Sequence, residues 1–406
     1  MKISIFTPTH DTKHLADTYA SIQAQNYPDI EWVIVPNAAR DAELPVLPAD
    51  ILQDPITRIH EFRHDGKPRI GELKRFACEK ATGDVFVELD HDDMLVPGIL
   101  SQVAQAAKNG AGFIYSDAAS FLDDGDLTPW GYDERWGWQT YDFAVYGRPC
   151  RATRTFELSP KSLCEVYFAP DHIRCWSREA YFKAGGHDAK LTVGDDHDLI
   201  CRTYLAKQKF TYTESCGYLY RHHPQNTVKT HNGQIQKQQN DNRDKYFYKL
   251  VDEWLRRTGH GYLDLVKRPL KYIDGNPVIE APDNSIGTIR AWNDVLPTIP
   301  QGKQTAFMNE VYRVLVPGGY FCALFPTTEG QAAFSPCYSS LWNEHTFDYY
   351  TSKEYGRKLP DLQCRFQLVR RGTLATSPER KRHRLLDSYV DLLALKGQRT
   401  PGRVHI

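Results

Sequence analysis

Hydrophobic positions in the first half of the chain fall into short blocks of two kinds. Ile3–Thr7 and Trp32–Val35 are mostly apolar runs, broken by Pro8–Thr9–His10–Asp11 and by Pro36–Asn37. Such runs with turn residues behind them predict buried strands. Between them Leu15, Tyr19 and Ile22 recur near helical spacing, which predicts a helix over 15–25 that stops at Tyr27–Pro28. Strand, helix, strand at this distance predicts the start of a parallel α/β sheet. Residues 41–66 are irregular and proline-bearing, with one short strand expected near 58–62. A helix is predicted over 70–81, closed by Gly83, then a strand from Val85, a helix over 99–108 and a strand over 112–116. Further on, 172–176 reads as a strand, 178–184 as a helix, 195–205 as a helix and 210–220 as a strand or pair of strands. A polar stretch over 231–244 leads into a helix over 246–257.

One strand ends unlike the others. Val85–Phe86–Val87–Glu88–Leu89 runs straight into Asp90–His91–Asp92–Asp93. Ligands of open α/β sheets sit outside the carboxyl ends of the strands. Carboxylates crowded there repel one another unless a cation lies between them. In an extended tip, Asp90 and Asp92 fall on one side and both can reach one hard metal ion or its water shell. Mg²⁺ and Mn²⁺ favour carboxylate oxygen and keep places for water and phosphate. On the tripeptide alone, a solvated acidic turn is the competing reading.

Composition narrows the class only a little. The chain has 406 residues, enough for two or three domains, and a formal net charge of −1, so no global field draws it to nucleic acid or to an anionic membrane. Its nine cysteines form no CxxC pair, which argues against a zinc ribbon or a disulfide framework and for a reducing cytoplasm. The N-terminal apolar run is too short for a signal peptide, and no stretch approaches the ~18 apolar residues of a membrane span. Residues 120–165 have no clear period but hold Trp130, Tyr132, Trp136, Trp138, Tyr141 and Tyr146. Two uses are open for these rings: a platform for a sugar or other acceptor, or packing of the loop onto the core.

Several short signals then fall in one order. They are Thr7–Pro8–Thr9 after the first strand, Lys74–Arg75–Phe76 with Ala81–Thr82–Gly83–Asp84, and Asp90–His91–Asp92. Arg178–Glu179–Ala180, Gly185–Gly186–His187–Asp188 and Asp195–Asp196–His197–Asp198–Leu199 with Arg202 follow. Together they resemble the family 2 glycosyltransferases of the GT-A fold, over about the first 230 residues. The resemblance implies a Rossmann-like, mostly parallel sheet and an enzyme that moves a sugar from a nucleoside diphosphate sugar to an acceptor hydroxyl with inversion. It implies Mn²⁺ or Mg²⁺ held by the DxD acids, with Asp92 as direct ligand and Asp90 on the ribose or on a metal-bound water. Thr7, Pro8, Thr9 and Arg75 are expected to face the nucleotide or diphosphate. Asp196 matches the family's general base, and Asp195 stands where the family has Glu. A histidine after the last strand completes the metal shell in many such enzymes; the spacing Tyr220–Arg221–x–His223 favours His223 over His222. Relatives often end the second strand in acids that hold the base. Here Pro36–Asn37 stands instead, and Asn37 can still pair with a base edge, which leaves UDP-sugar as a family-level expectation.

The later part bears a second resemblance. Asn284–Ser285–Ile286, Asn293–Asp294–Val295–Leu296, Arg313–Val314–Leu315–Val316–Pro317–Gly318–Gly319–Tyr320 and Phe325–Pro326 are similar to the later half of a class I S-adenosylmethionine methyltransferase. The glycine-rich turn of that family's first strand has no counterpart. A truncated, inactive domain is expected, which packs on the transferase domain, supports oligomers or places the acceptor. The tail, 379–395, is expected to be a helix with a basic start at Arg380, Lys381, Arg382 and Arg384.

The expected architecture is therefore α/β throughout: a GT-A domain over 1–245, a smaller methyltransferase-like α/β domain over 246–375 and a helical tail over 376–406. The donor is a nucleoside diphosphate sugar; a glycan, protein, lipid or nucleic acid stays open as acceptor, as does a homo-oligomer. Two other functions are weighed against this one: a bifunctional glycosyltransferase–methyltransferase and a non-catalytic nucleotide-sugar or glycan-binding protein.

Overall fold

The computed structural model describes residues 1–66, 69–122, 134–165, 170 and 172–402. Trp130 and Tyr132 lie outside the described residues. The chain divides into two compact units, Met1–Glu253 and Trp254–Ile406.

The first unit opens with β1 (Ile3–Thr9), α1 (Leu15–Gln23), β2 (Ile30–Ala39), a short α2 (Ala49–Gln53), β3 (Thr57–Ile59) and β4 (Phe62–His64). It continues through α3 (Ile70–Lys80), β5 (Val85–Glu88), β6 (Met94–Leu95), α4 (Ile99–Lys108) and β7 (Phe113–Leu122). A hairpin, β8 (Gln139–Val145) and β9 (Arg148–Arg154), is followed by α5 (Pro160–Glu165), β10 (Arg174–Ser177) and α6 (Arg178–Lys183). Last come α7 (Asp195–Leu205), β11 (Phe210–His222), α8 (Thr227–Thr230) and the long α9 (Asn232–Thr258).

The sheet runs β3-β2-β1-β5-β10-β7-β11-β6. Strands β3, β2, β1 and β5 are parallel, β10 lies antiparallel between β5 and β7, and β11 is again parallel to β7. Its central strands are buried on both faces, which is why they read as unbroken apolar runs rather than alternating ones. Ile3, Ile5, Trp32, Ile34, Val85 and Val87 form the core of one face with Leu15 and Ile22 of α1. At the opposite end from the acids, buried Glu31 ties β1 and β5 to β2: it accepts from Ser4 Oγ, the Thr82 N–H and Lys2 Nζ (2.5, 2.5 and 2.6 Å).

The aromatic segment resolves in part. The β8–β9 hairpin pairs with β7 at Ala118 and Ala119, beyond the part of β7 that pairs with β10. Trp138 packs on Phe156 (centroids 4.8 Å apart) and Tyr146 donates to the Leu95 carbonyl (2.6 Å). These rings hold the hairpin to the body, whereas Trp136 is exposed.

Helix α3 packs so closely that Gly71 has no space for a side chain: a Cβ there would lie 2.1 Å from the Asp188 carbonyl oxygen. Gly71→Ala is expected to destabilise the protein by about 1–3 kcal/mol through overpacking, measured by urea unfolding.

The second unit has a five-stranded sheet ordered β12 (Gly261–Asp264), β15 (Ile286–Trp292), β16 (Leu315–Pro326), β18 (Asp387–Ala394), β17 (Phe366–Leu374). The hairpin β13 (Lys271–Ile273) and β14 (Asn276–Val278) forms a separate pair, and α10 (Gln304–Val314) precedes β16. Strands β12, β15 and β16 are parallel, and β18 is antiparallel to both neighbours. The expected tail helix is corrected here. Only Pro378–Arg382 is helical, behind a Ser377 cap, and 387–394 is an inner strand of the sheet. Its run Val390–Leu392–Leu393–Ala394 is buried between β16 and β17.

Candidate active site

The carboxyl ends of β1, β2 and β5 open on a cleft of about 540 Å³. Six of the residues singled out in the sequence line it: Pro8, Asn37, Asp90, Asp92, Asp196 and His223. The other three do not. Thr7 is fully buried, accepting from Trp32 Nε1 (2.9 Å) and donating to the Leu89 carbonyl (2.8 Å). Thr9 is buried too and bonds locally with Asp11. Both hold β1 in place rather than face the cleft. Arg75 points outward, paired with Glu79 (3.0 Å) and bonded to the carbonyls of Gly185 and His187 (3.3 and 3.4 Å). One step along a helix turns the side chain by about 100°, and Lys74, not Arg75, reaches the cleft.

The acidic loop is braced from β11. Asp93 is buried, accepting from Tyr218 Oη (2.8 Å) and from the Arg221 N–H (2.7 Å). Burial and the charges of Asp92 and Asp90 push its carboxyl well above the usual range. Arg221 donates to the Asp92 carbonyl and to Asp17 (2.7 Å each) and lies over the Phe121 ring. These bonds tie the loop with Asp92 to the strand leading to His223.

At that junction His223 Nε2 sits 2.7 Å from Asp92 Oδ2. His223 Nδ1 faces the Gln225 side-chain oxygen at 3.2 Å. An Nε2–H can donate to Asp92, and a divalent ion can take the place of that proton between the two ligand atoms, with the far ring nitrogen held by Gln225. The donor set fits a divalent ion of the Mn²⁺ or Mg²⁺ type, with imidazole favouring Mn²⁺. Among the described residues, Glu88, Asp90 and His172 also bring ligand atoms within 4.8 Å of one another. There, however, Glu88 Oε1 already accepts from Lys74 (2.7 Å) and Arg174 (3.2 Å). An added cation would face two resident ones. His222 also lines the cleft, and burial lowers its pKa to about 4.

On the other side of the cleft α7 begins with Asp195 and Asp196. Asp196 accepts from the His197 N–H (2.7 Å) and pairs with Arg174. Burial alone would raise its pKa, but Arg174 and Lys74 outweigh burial and hold the carboxyl far below the usual range. Asp195 behaves in the opposite way. Burial dominates over the pull of Lys74, and the carboxyl is pushed up to about 7. Its Oδ2 lies 3.5 Å from His187 Nε2, and burial lowers the His187 pKa to about 3, so the ring is neutral.

The shift at Asp195 has a consequence for stability. A carboxyl whose pKa rises from 3.8 unfolded to about 7 folded favours folding at low pH and loses that advantage as pH rises through this window. Asp195→Asn should therefore raise stability at pH 8 by a few kcal/mol, at about 1.4 kcal/mol per pKa unit, with the gain vanishing toward pH 4. Urea unfolding across that range measures it.

Sequence reading missed Lys74, Glu88 and Arg174 as members of the site. Glu88 carried a signal as a lone acid in an apolar run two residues before Asp90, and Lys74 stood beside Arg75 in the quoted motif; Arg174 carried none.

An acid-lined cleft at the carboxyl ends of a curled, largely parallel α/β sheet is the arrangement of the GT-A glycosyltransferases. Sequence comparison finds a match to the glycosyl transferase family 2 model over residues 4–166, within the first unit. An uncharacterized protein, y4gI, of Sinorhizobium fredii is 31% identical over 128 residues, which span 30% of this chain and only 14% of that protein. Crystal structures of S. aureus TarS residues 1–349 resemble the chain more distantly. The complex with UDP-GlcNAc has a TM-score of 0.43 at 10% identity, covering 63% of this chain and 73% of that one. The complex with UDP has 0.40 at 12%, covering 69% and 96%. Likeness at this level does not extend their ligands to this chain. Among the described residues, no helix is long and apolar enough to cross a membrane.

Proposed function

We propose that the first unit transfers a sugar, with inversion, from a nucleoside diphosphate sugar to an acceptor hydroxyl, and that Asp196 is the general base. The observation that carries this reading is the shared cleft: the Asp92–His223 pair and the ionised Asp196 line the same cavity. Asp92 and His223, with Asp90 beside them, would hold Mn²⁺ or Mg²⁺; the ion would supply positive charge to the departing diphosphate. Pro8 and Asn37 flank the nucleotide. Asn37 Nδ2 donates to the Thr9 carbonyl (2.8 Å), which leaves Oδ1 as the acceptor for an imide N–H. That supports uracil and argues against cytosine, whose ring nitrogen is itself an acceptor.

In the reaction the acceptor oxygen forms its bond to the anomeric carbon on the face opposite the diphosphate. The bond to the diphosphate breaks, its electron pair leaves with the phosphate oxygen, and Asp196 takes the hydroxyl proton. Arg174 orients Asp196 and holds it as the carboxylate against the effect of burial, while also weakening it as a base. One displacement inverts the anomeric centre.

For the second unit we propose no chemistry. Its sheet has β18 antiparallel between β16 and β17, and the glycine-rich cofactor turn of the methyltransferases has no counterpart in the sequence. A role in acceptor placement or in homo-oligomers fits it best; binding of S-adenosylmethionine by the full chain would favour the bifunctional alternative. No disulfide joins cysteines among the described residues, and we propose a reducing, cytoplasmic setting for the chain.

The function is tested by incubating the full chain with UDP-N-acetylglucosamine, UDP-glucose and their GDP, TDP and CDP counterparts, with and without Mn²⁺. Metal-dependent release of UDP from one donor, with water or added alcohols as acceptor, is expected. No turnover of any donor would leave the binding-protein alternative.

A further inference from the structure

Glu88 lies outside the residues given a chemical role above, yet it joins both halves of the site. It is 1% exposed, at the end of β5, and period two along the strand sets it on the same side as Asp90. Arg174 stands beside it on β10, one step beyond the antiparallel pair Cys175–Val87. One oxygen, Glu88 Oε1, accepts from Lys74 Nζ at 2.7 Å and from Arg174 Nη1 at 3.2 Å. Each cation then reaches a second acid. Lys74 Nζ is 4.0 Å from Asp90 Oδ1, and Arg174 Nη1 pairs with Asp196 Oδ2. The side chains of Lys74, Glu88 and Arg174 are all more than nine-tenths buried, so water screens this chain of charges little.

We propose that Glu88 is a positioning residue: by gripping Lys74 and Arg174 at a single oxygen, it fixes the donor-side acid Asp90 and the acceptor-side acid Asp196 relative to each other. The inference rests on Asp196 being the base. A direct displacement needs the acceptor oxygen aligned with the departing diphosphate, and misplacement by about 1 Å can cost on the order of 10²-fold in rate. A salt-bridged link between the two sides sets that alignment. Without the Glu88 charge, Arg174 is drawn wholly to Asp196 and Lys74 toward Asp90 and Asp195, and the two sides lose their common anchor.

The test is a mutant cycle in the full chain, reading Mn²⁺-dependent hydrolysis of UDP-N-acetylglucosamine, or of whichever tested donor turns over, together with calorimetric binding of UDP. Glu88→Gln, of the same shape without the charge, should lower kcat about 30-fold while KM and UDP affinity stay within about threefold. Arg174→Lys should lower kcat comparably, because the contacts to Glu88 and Asp196 both run through Nη1 at the tip of the arginine, a position the shorter lysine side chain does not reach. The double variant should fall no further than the weaker single variant, and Glu88→Asp should recover part of the loss. A Glu88→Gln enzyme with wild-type kcat, beside an inactive Asp196→Asn, would overturn the proposal and leave the base assignment standing. Multiplying losses in the double variant would overturn it as well. Wild-type activity in Asp196→Asn would remove the base, and the positioning role with it. Should Glu88→Gln not fold, Arg174→Lys decides alone: unchanged kcat overturns the link, and a kcat loss at constant KM supports it.

Discussion

Asp196→Asn is expected to reduce turnover about 10²–10⁴-fold, the range general-base catalysis supplies, while UDP still binds. The asparagine oxygen can keep the bond from the His197 N–H, so the first turn of α7 stays in place, while the new NH2 faces Arg174 where the ion pair was. What is lost is the ability to take a proton. Removing one partner of a partly buried ion pair also costs stability, on the order of 1–3 kcal/mol, which a thermal melt separates from the kinetic loss. Asp195→Asn gives the contrast. That carboxyl, held up to about 7 by burial, is largely protonated at pH 6, so its replacement should leave turnover there within a few-fold and act mainly on stability at higher pH.

The second large effect is expected at Asp92. Asp92→Asn should weaken Mn²⁺-dependent UDP binding at least about 100-fold, since it removes the charge that faces His223 Nε2 at 2.7 Å. The backbone loop should survive, because Arg221 binds the Asp92 carbonyl rather than its side chain and Asp93 remains tied to β11. His223→Ala should act in the same direction but less, roughly tenfold, and should shift preference from Mn²⁺ toward Mg²⁺ as the imidazole is withdrawn. Calorimetric titration of each variant with UDP and either metal measures both.

How much of this was legible in the sequence differs by element. The strands and helices of the first unit stood out because their apolar runs and helical spacing are strong and local. Strand β10 was read at 172–176, but its antiparallel place between β5 and β7 was not, since pairing partners are set by long-range packing, and with it Arg174 stayed hidden as a site residue. Helix phase separated Lys74 from Arg75: adjacent residues in the same motif face in different directions. Thr7 and Thr9 sit at a strand end that the motif marks, but their hydroxyls are spent on holding β1. The polar stretch before Tyr246 proved helical from Asn232, because a mostly solvent-facing helix shows little apolar periodicity. The tail went the other way. A short apolar run cannot by itself separate helix from strand, and Asp391, fully buried on β18, broke the pattern that would have marked an inner strand.

The most direct measurement is a titration of UDP into the full wild-type chain, first with Mn²⁺ and then with EDTA. One UDP per chain, bound with the metal and lost without it, is the predicted result. Equal binding in both conditions, or none in either, would contradict a metal-assisted nucleotide-sugar site between Asp92 and His223.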